Sequence, residues 1–95
     1  MITYKAAYTF EDGVYLGEVL DFPGTVSSGK SLDEARRNLA GALLDMAEAN
    51  LELGEALPRP NPDSSKPNAD VEEPIYLVLQ TSHRISVQAV PEVVG

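Results

Sequence analysis

Few residues in this chain have types and spacings that could support chemistry. Asp21 stands before a Pro-Gly pair, Asp33 and Glu34 follow Ser31 closely, Ser27 and Ser28 are adjacent, and His83 is the single histidine. Carboxylates that converge on magnesium can cut nucleic acid, because each lends oxygen ligands to a hard cation. Such a centre needs several carboxylates on strand and helix positions, and the first apolar run, Ile2 to Phe10, carries none. Ordinary duties explain those present: Asp21 suits a turn, and Asp33 and Glu34 suit the start of a helix. His83 has no neighbouring carboxylate to orient it as a base and is read as a loop histidine. Ser27 and Ser28 lack the G-x-S-x-G setting of a hydrolase nucleophile. With no cysteine there is neither a thiolate nor a disulfide framework, and one histidine does not build a zinc site. We therefore expect no catalytic residue, no metal and no cofactor: a binding protein, not an enzyme. A magnesium-dependent nuclease using Asp21 is the weakest of the readings.

Ninety-five residues make one domain, which buries about 60 to 65% of the surface its unfolded chain exposes. Its stability is marginal, and self-association would help it. Seven basic against fifteen acidic residues leave a net charge of −8. That disfavours a grip on nucleic acid, which needs a basic face, so no direct nucleic-acid binding is expected. The charge serves solubility or steers a basic partner. No apolar run approaches the roughly 20 residues of a membrane span and no leader pattern opens the chain, so a cytoplasmic protein without membrane contact is expected.

The elements that position these residues begin with alternation. Ile2, Tyr4, Ala6, Tyr8 and Phe10 alternate with polar or small residues as a strand. Glu11-Asp12-Gly13 is a hairpin signal, and Val14 to Leu20 returns antiparallel. Pattern alone leaves open which face of this second strand is inward; Leu16 and Leu20 are taken as inward. Asp21-Phe22-Pro23-Gly24 reverses the chain, with Pro23 presetting φ and Gly24 free to take φ > 0. Thr25 to Ser28 form a short strand that Gly29 breaks. Ser31-Leu32-Asp33-Glu34 is then a capping box: Ser31 accepts from the Glu34 N–H, and the Glu34 carboxylate reaches back to the Ser31 N–H. In the helix, Leu32, Ala35, Leu39, Leu43, Met46, Ala49 and Leu53 recur every three or four residues as a sheet-facing stripe. A second stripe, Ala40, Leu44, Ala47 and Leu51, widens the apolar surface, with the helix-weakening Gly41 at its border. It is either a wide core face or a surface for another subunit. Asp45, Glu48, Glu52 and Glu55 line the exposed side, against the preference of a helix C-terminus for cations.

Residues 59–74 hold four prolines and no apolar periodicity, and read as an exposed tether with nothing to pack. Ile75 to Leu79 is apolar on both faces, a covered core strand, expected to lie parallel to the first strand with the helix as a right-handed crossover. Ile85, Val87 and Ala89 alternate as a last short strand. The chain thus reads as one domain over 1–90: hairpin, short strand and helix in 1–58, tether in 59–74 and C-terminal strands in 75–90, with 91–95 as a tail.

The gap-free run from Tyr15 to Ala35, with Pro23-Gly24 and then Gly29-Lys30-Ser31-Leu32-Asp33-Glu34-Ala35, resembles the signature of the HicB family of bacterial antitoxins. The helix end at Gly54-Glu55 and the exit Leu57-Pro58-Arg59-Pro60 extend the resemblance over roughly the first 60 residues. Leu20 and Lys30 depart from the family's usual residues, outside the turn and the cap. The resemblance implies an α+β fold: a small β-β-β-α-β sheet with one long helix on one face, a truncated relative of ribonuclease H, with a short C-terminal strand added. Arg84 to Pro91 resembles the start of the ribbon-helix-helix unit that many members carry, but too few residues follow for its two helices. The implied function is an antitoxin that covers the active surface of a small basic RNA-cleaving toxin, HicA. The alternative is a solitary homo-oligomeric interaction domain without a toxin. Either reading includes a homodimer or tetramer, with Ala40, Leu44, Ala47, Leu51, Ile85 and Val87 as the candidate interface.

Overall fold

The alternation from Ile2 onward produces β1 (Ile2–Glu11) in a computed structural model of the chain, which describes residues 1–81 and 84–89. His83, Ser82 and the segment 90–95 lie outside the described residues. Asp12 (φ 50°) and Gly13 (φ 83°) make the tight turn into β2 (Val14–Val19), which pairs antiparallel with β1 from Glu11↔Val14 to Ala6↔Val19. β3 (Val26–Gly29) follows, then α1 (Leu32–Glu52), β4 (Val71–Thr81) and β5 (Arg84–Ala89). The strands form one sheet in the order β3-β2-β1-β4-β5, with every neighbouring pair antiparallel. The architecture is α+β: a curled sheet with one long helix on one face.

β4 does not run parallel to β1, as expected from the sequence, but antiparallel, from Ile2↔Leu77 to Tyr8↔Val71. The reason is a second crossing of the sheet. α1 carries the chain from one end of β1 to the other, where the Tyr4 hydroxyl donates to Pro58 O at 2.7 Å. Residues 59–70 then return the whole length, ending where Asp70 N donates to Tyr8 O at 2.8 Å. One crossing gives a parallel neighbour and two give an antiparallel one.

These residues are accordingly no loose tether but an ordered strap. Lys5 Nζ donates to Ser64 O at 2.6 Å and Pro62 O at 3.2 Å, and Lys66 Nζ meets Glu18 at 3.2 Å. Lys5, Ala7, Glu18 and Glu72 share the sheet face that turns away from the helix, so the strap covers that face and leaves Ala7 only 1% exposed. β4 also starts at Val71, four residues before Ile75, and takes in Pro74. The missing N–H is tolerated because the β5 ladder begins only at Ile75.

Register decides the inward faces. Tyr4, Ala6 and Tyr8 of β1, Val19 of β2, and Ile75 and Leu77 of β4 form the core with Ala35, Leu39, Leu43 and Ala47 of α1. Leu16 is therefore an outward residue, 42% exposed, and not an inward one, because it pairs with Thr9 while Tyr15, Gly17 and Val19 pair with the inward residues of β1. Leu20, half-buried, follows the end of β2. On the helix the buried track is Ala35-Leu39-Leu43-Ala47, flanked by Leu32 and Met46. Ala49 and Leu53, expected on that stripe, are exposed, Leu53 by 73%. The sheet curls so that α1 also lies against β5, which brings part of the second apolar stripe into the core.

Candidate functional site

The turn behaves as its residues dictate. Thr25 N donates to Phe22 O at 3.2 Å around Pro23, and Gly24 takes φ 84°. Phe22, 2% exposed, packs its ring 5.7 Å from that of Tyr4. Asp21 does more than form a turn: its carboxylate accepts from Asn61 N at 2.7 Å and from Ser64 Oγ at 2.6 Å, pinning the strap. Sequence reading missed this duty because the partners lie 40 and 43 positions away.

Ser31 is the N-cap of α1, its hydroxyl accepting from Glu34 N at 3.1 Å. The reciprocal contact differs from the expected box, since the Glu34 carboxylate meets the Lys30 N–H at 3.5 Å, one residue earlier than Ser31. Ser31→Ala should lower stability by about 1 kcal/mol, the usual loss of an N-cap. Urea unfolding with an unchanged midpoint and slope would refute the capping role. Gly29 ends β3 without positive φ; its role is to admit the first turn of α1.

Helix and sheet also enclose a polar cluster. Arg36 grips Glu73 of β4 through Nε at 2.9 Å and Nη2 at 2.7 Å, and holds Asp33 through Nη1 at 3.1 Å. The Glu73 hydrogen bonds keep the Arg36 guanidinium more firmly protonated than usual, against the opposing effect of its burial. Among the described residues the buried Tyr8 hydroxyl finds no hydrogen-bond partner. Burial pushes its phenol well above the ordinary value of 10.0, Glu73 adds to the shift and Arg36 opposes it. A raised folded-state pKa contributes stability that is whole below about pH 10 and declines above it, by about 1.4 kcal/mol per pH unit, as the unfolded chain ionises first. Tyr8→Phe should flatten that decline in alkaline urea titrations; an unaltered slope would contradict it.

Asp21, Asp33 and Glu34 thus serve three different partners: strap, Arg36 and Lys30. Among the described residues there is no group of three or more His, Asp or Glu side chains able to hold a metal ion. Ser27 Oγ is spent on Ala35 O at 3.1 Å and Ser28 O accepts from Asn38 at 2.8 Å, so both serines anchor the helix to β3. On the strap side a cleft of about 790 Å³ opens between Met1, Thr3, Pro60, Pro62 and Pro74. Of the charged groups on its wall, Lys5, Asp21 and Glu72 bind the strap and Glu73 binds Arg36.

Among the described residues, the candidate interface positions divide between core and surface. Of the candidate interface residues, Ala47 is fully buried in the chain's own core, which removes it from any surface. Ile85 and Val87 of β5 pack partly buried against the same core. Ala40 and Leu44 are half-buried, and Leu51 is 48% exposed. β5 is an edge strand whose far side meets no other strand among the described residues. No helix among them is long and apolar enough to cross a membrane.

No family model and no curated protein matches the chain. Solved structures do. The N-terminal domain of the Burkholderia pseudomallei antitoxin HicB has a TM-score of 0.69 at 27% identity, covering 82% of this chain and 100% of that one. The structure of the Burkholderia pseudomallei antitoxin HicB has a TM-score of 0.66 at 28% identity, covering 78% of this chain and 60% of that one. The chain has a HicB-like antitoxin fold.

Proposed function

From this HicB-like antitoxin fold, we propose that the chain works in a toxin–antitoxin pair, as the non-enzymatic member that covers the active surface of a small basic RNA-cleaving toxin of the HicA type. The observation that carries the reading is the match to an antitoxin's N-terminal domain over that domain's entire length. The net charge of −8 supports it, since complementary charge speeds the encounter with a basic protein. The pair would operate in the cytoplasm, where a toxin that cleaves RNA meets its substrate.

The free edge of β5 supports a further element of this reading, a homodimer or tetramer in which β5 pairs with its counterpart. Ile85 and Val87 already face the chain's own core, so the seam is the backbone edge rather than their side chains.

The test is to look beside this chain's gene for one that encodes a small basic HicA-type protein, mix the two purified proteins and follow RNA cleavage; the lack of any such neighbour would itself favour a solitary domain. Cleavage should stop at stoichiometric antitoxin, with a stable complex in size-exclusion chromatography. Undiminished cleavage at saturating antitoxin would overturn the proposal and favour a solitary homo-oligomeric domain.

A further inference from the structure

Among the described residues, one side of α1 is largely exposed. Gly41, Leu44, Glu48 and Leu51 succeed one another at steps of three and four residues, and Glu55 is exposed just past the helix end. This makes a single ridge, small then alternately apolar and acidic. A Cβ at Gly41 would meet nothing within 4 Å, and Leu51 is 48% exposed. Asp45 and Glu52 border the ridge and are exposed. Among the described residues no cation pairs with Asp45, Glu48, Glu52 or Glu55, and the last turn of α1 has no basic residue. Their charge adds to the negative end of the helix dipole, so the fold gains nothing from it.

We propose that this ridge is the docking face for a basic amphipathic helix of the partner protein. Leucine-like side chains on that helix would seat beside Leu44 and Leu51, its backbone would approach over Gly41, and Lys or Arg would meet Glu48, Glu52 and Glu55. A second copy of this chain is a poor occupant, since two such faces would set carboxylate against carboxylate. The inference rests on the antitoxin reading and adds the surface and the partner's chemistry to it.

The test titrates the whole chain against the same HicA-type toxin, carrying a substitution that silences its cleavage. Leu51→Lys should weaken binding at least tenfold. Glu48→Lys with Glu52→Lys should do likewise and reduce the dependence of affinity on salt. Lysines near a helix C-terminus complement its dipole, so the double variant should keep its melting temperature and its lost affinity cannot come from misfolding. Leu16→Glu, on the sheet face away from the helix, should bind as the parent does. If both helix variants bind normally while the parent chain still silences the toxin, the ridge is wrong and the antitoxin reading stands. If the parent chain does not bind, both fall. Self-association of the parent chain that Leu51→Lys abolishes would give the ridge to a second copy and overturn the proposal.

Discussion

Gly29→Ala should destabilise the protein by about 4 kcal/mol and lower its melting temperature by about 20 °C. A Cβ at this position would strike the backbone nitrogen of Ala35, 2.9 Å from Glu34 C and 3.0 Å from Ala35 Cα. Backbone cannot rotate aside as a long side chain can, so the helix start must move. Its position is fixed from several directions: Glu34 N to Ser31 Oγ at 3.1 Å, Asn38 Nδ2 to Ser28 O at 2.8 Å and Ser27 Oγ to Ala35 O at 3.1 Å. Overpacking costs about 1 to 3 kcal/mol, and each hydrogen bond lost in the shift adds about 1. That is a large share of the roughly 5 to 15 kcal/mol that holds a domain together. Gly41→Ala is the control, since open space surrounds it on the exposed side of α1. That change should raise stability by up to about 1 kcal/mol through helix propensity. Equal effects from the two substitutions in thermal unfolding would refute the close-approach account of Gly29.

What the sequence made legible was local. The Pro23-Gly24 turn, the Ser31 cap and the strand alternation each depend on residues within a few positions of one another, and each is present. The end of α1 is local too: Glu55 N donates to Asn50 O at 2.8 Å around Gly54 at φ 71°. The inward face of β2 was not legible, because both of its faces hold apolar residues and only pairing with β1 chooses Tyr15 over Leu16. The strap was hidden for a related reason. Its composition is that of disorder, and its order comes from Lys5 and Glu18 on the sheet and Asp21 in the turn after β2, 40 and more positions earlier. Treating it as slack chain left α1 as the sole crossing, which gave the wrong direction for β4. The second helical stripe was visible as a pattern. Its division into a buried Ala47 and an exposed Leu51 depends on how far the curled sheet reaches along the helix.

Removing the guanidinium of Arg36 should cost about 2 to 3 kcal/mol, although the residue reads in sequence as an ordinary polar helix position. Arg36 and Glu73 lie 37 positions apart and meet as a two-pronged pair between helix and sheet. Their side chains are 21% and 10% exposed, so Glu73 is the more deeply held. It projects to the helix-facing side of β4, opposite Ala6, beside a core cluster that is apolar apart from the Tyr4 and Tyr8 hydroxyls. Arg36→Met keeps much of the stem that covers the core and leaves the carboxylate without its cation. Breaking a fully buried pair costs about 3 to 5 kcal/mol, and the residual exposure of Arg36 brings the expected figure below that. Asp33 should not compensate, because it is an acid and half-exposed at the helix start. The double variant Arg36→Met with Glu73→Met should recover most of the loss, since an apolar pair of similar size needs no desolvated charge. A double-mutant cycle by urea unfolding separates the alternatives. A coupling of at least about 1.5 kcal/mol is expected; additive losses would mean that Arg36 contributes through its packing alone and that Glu73 is satisfied without it.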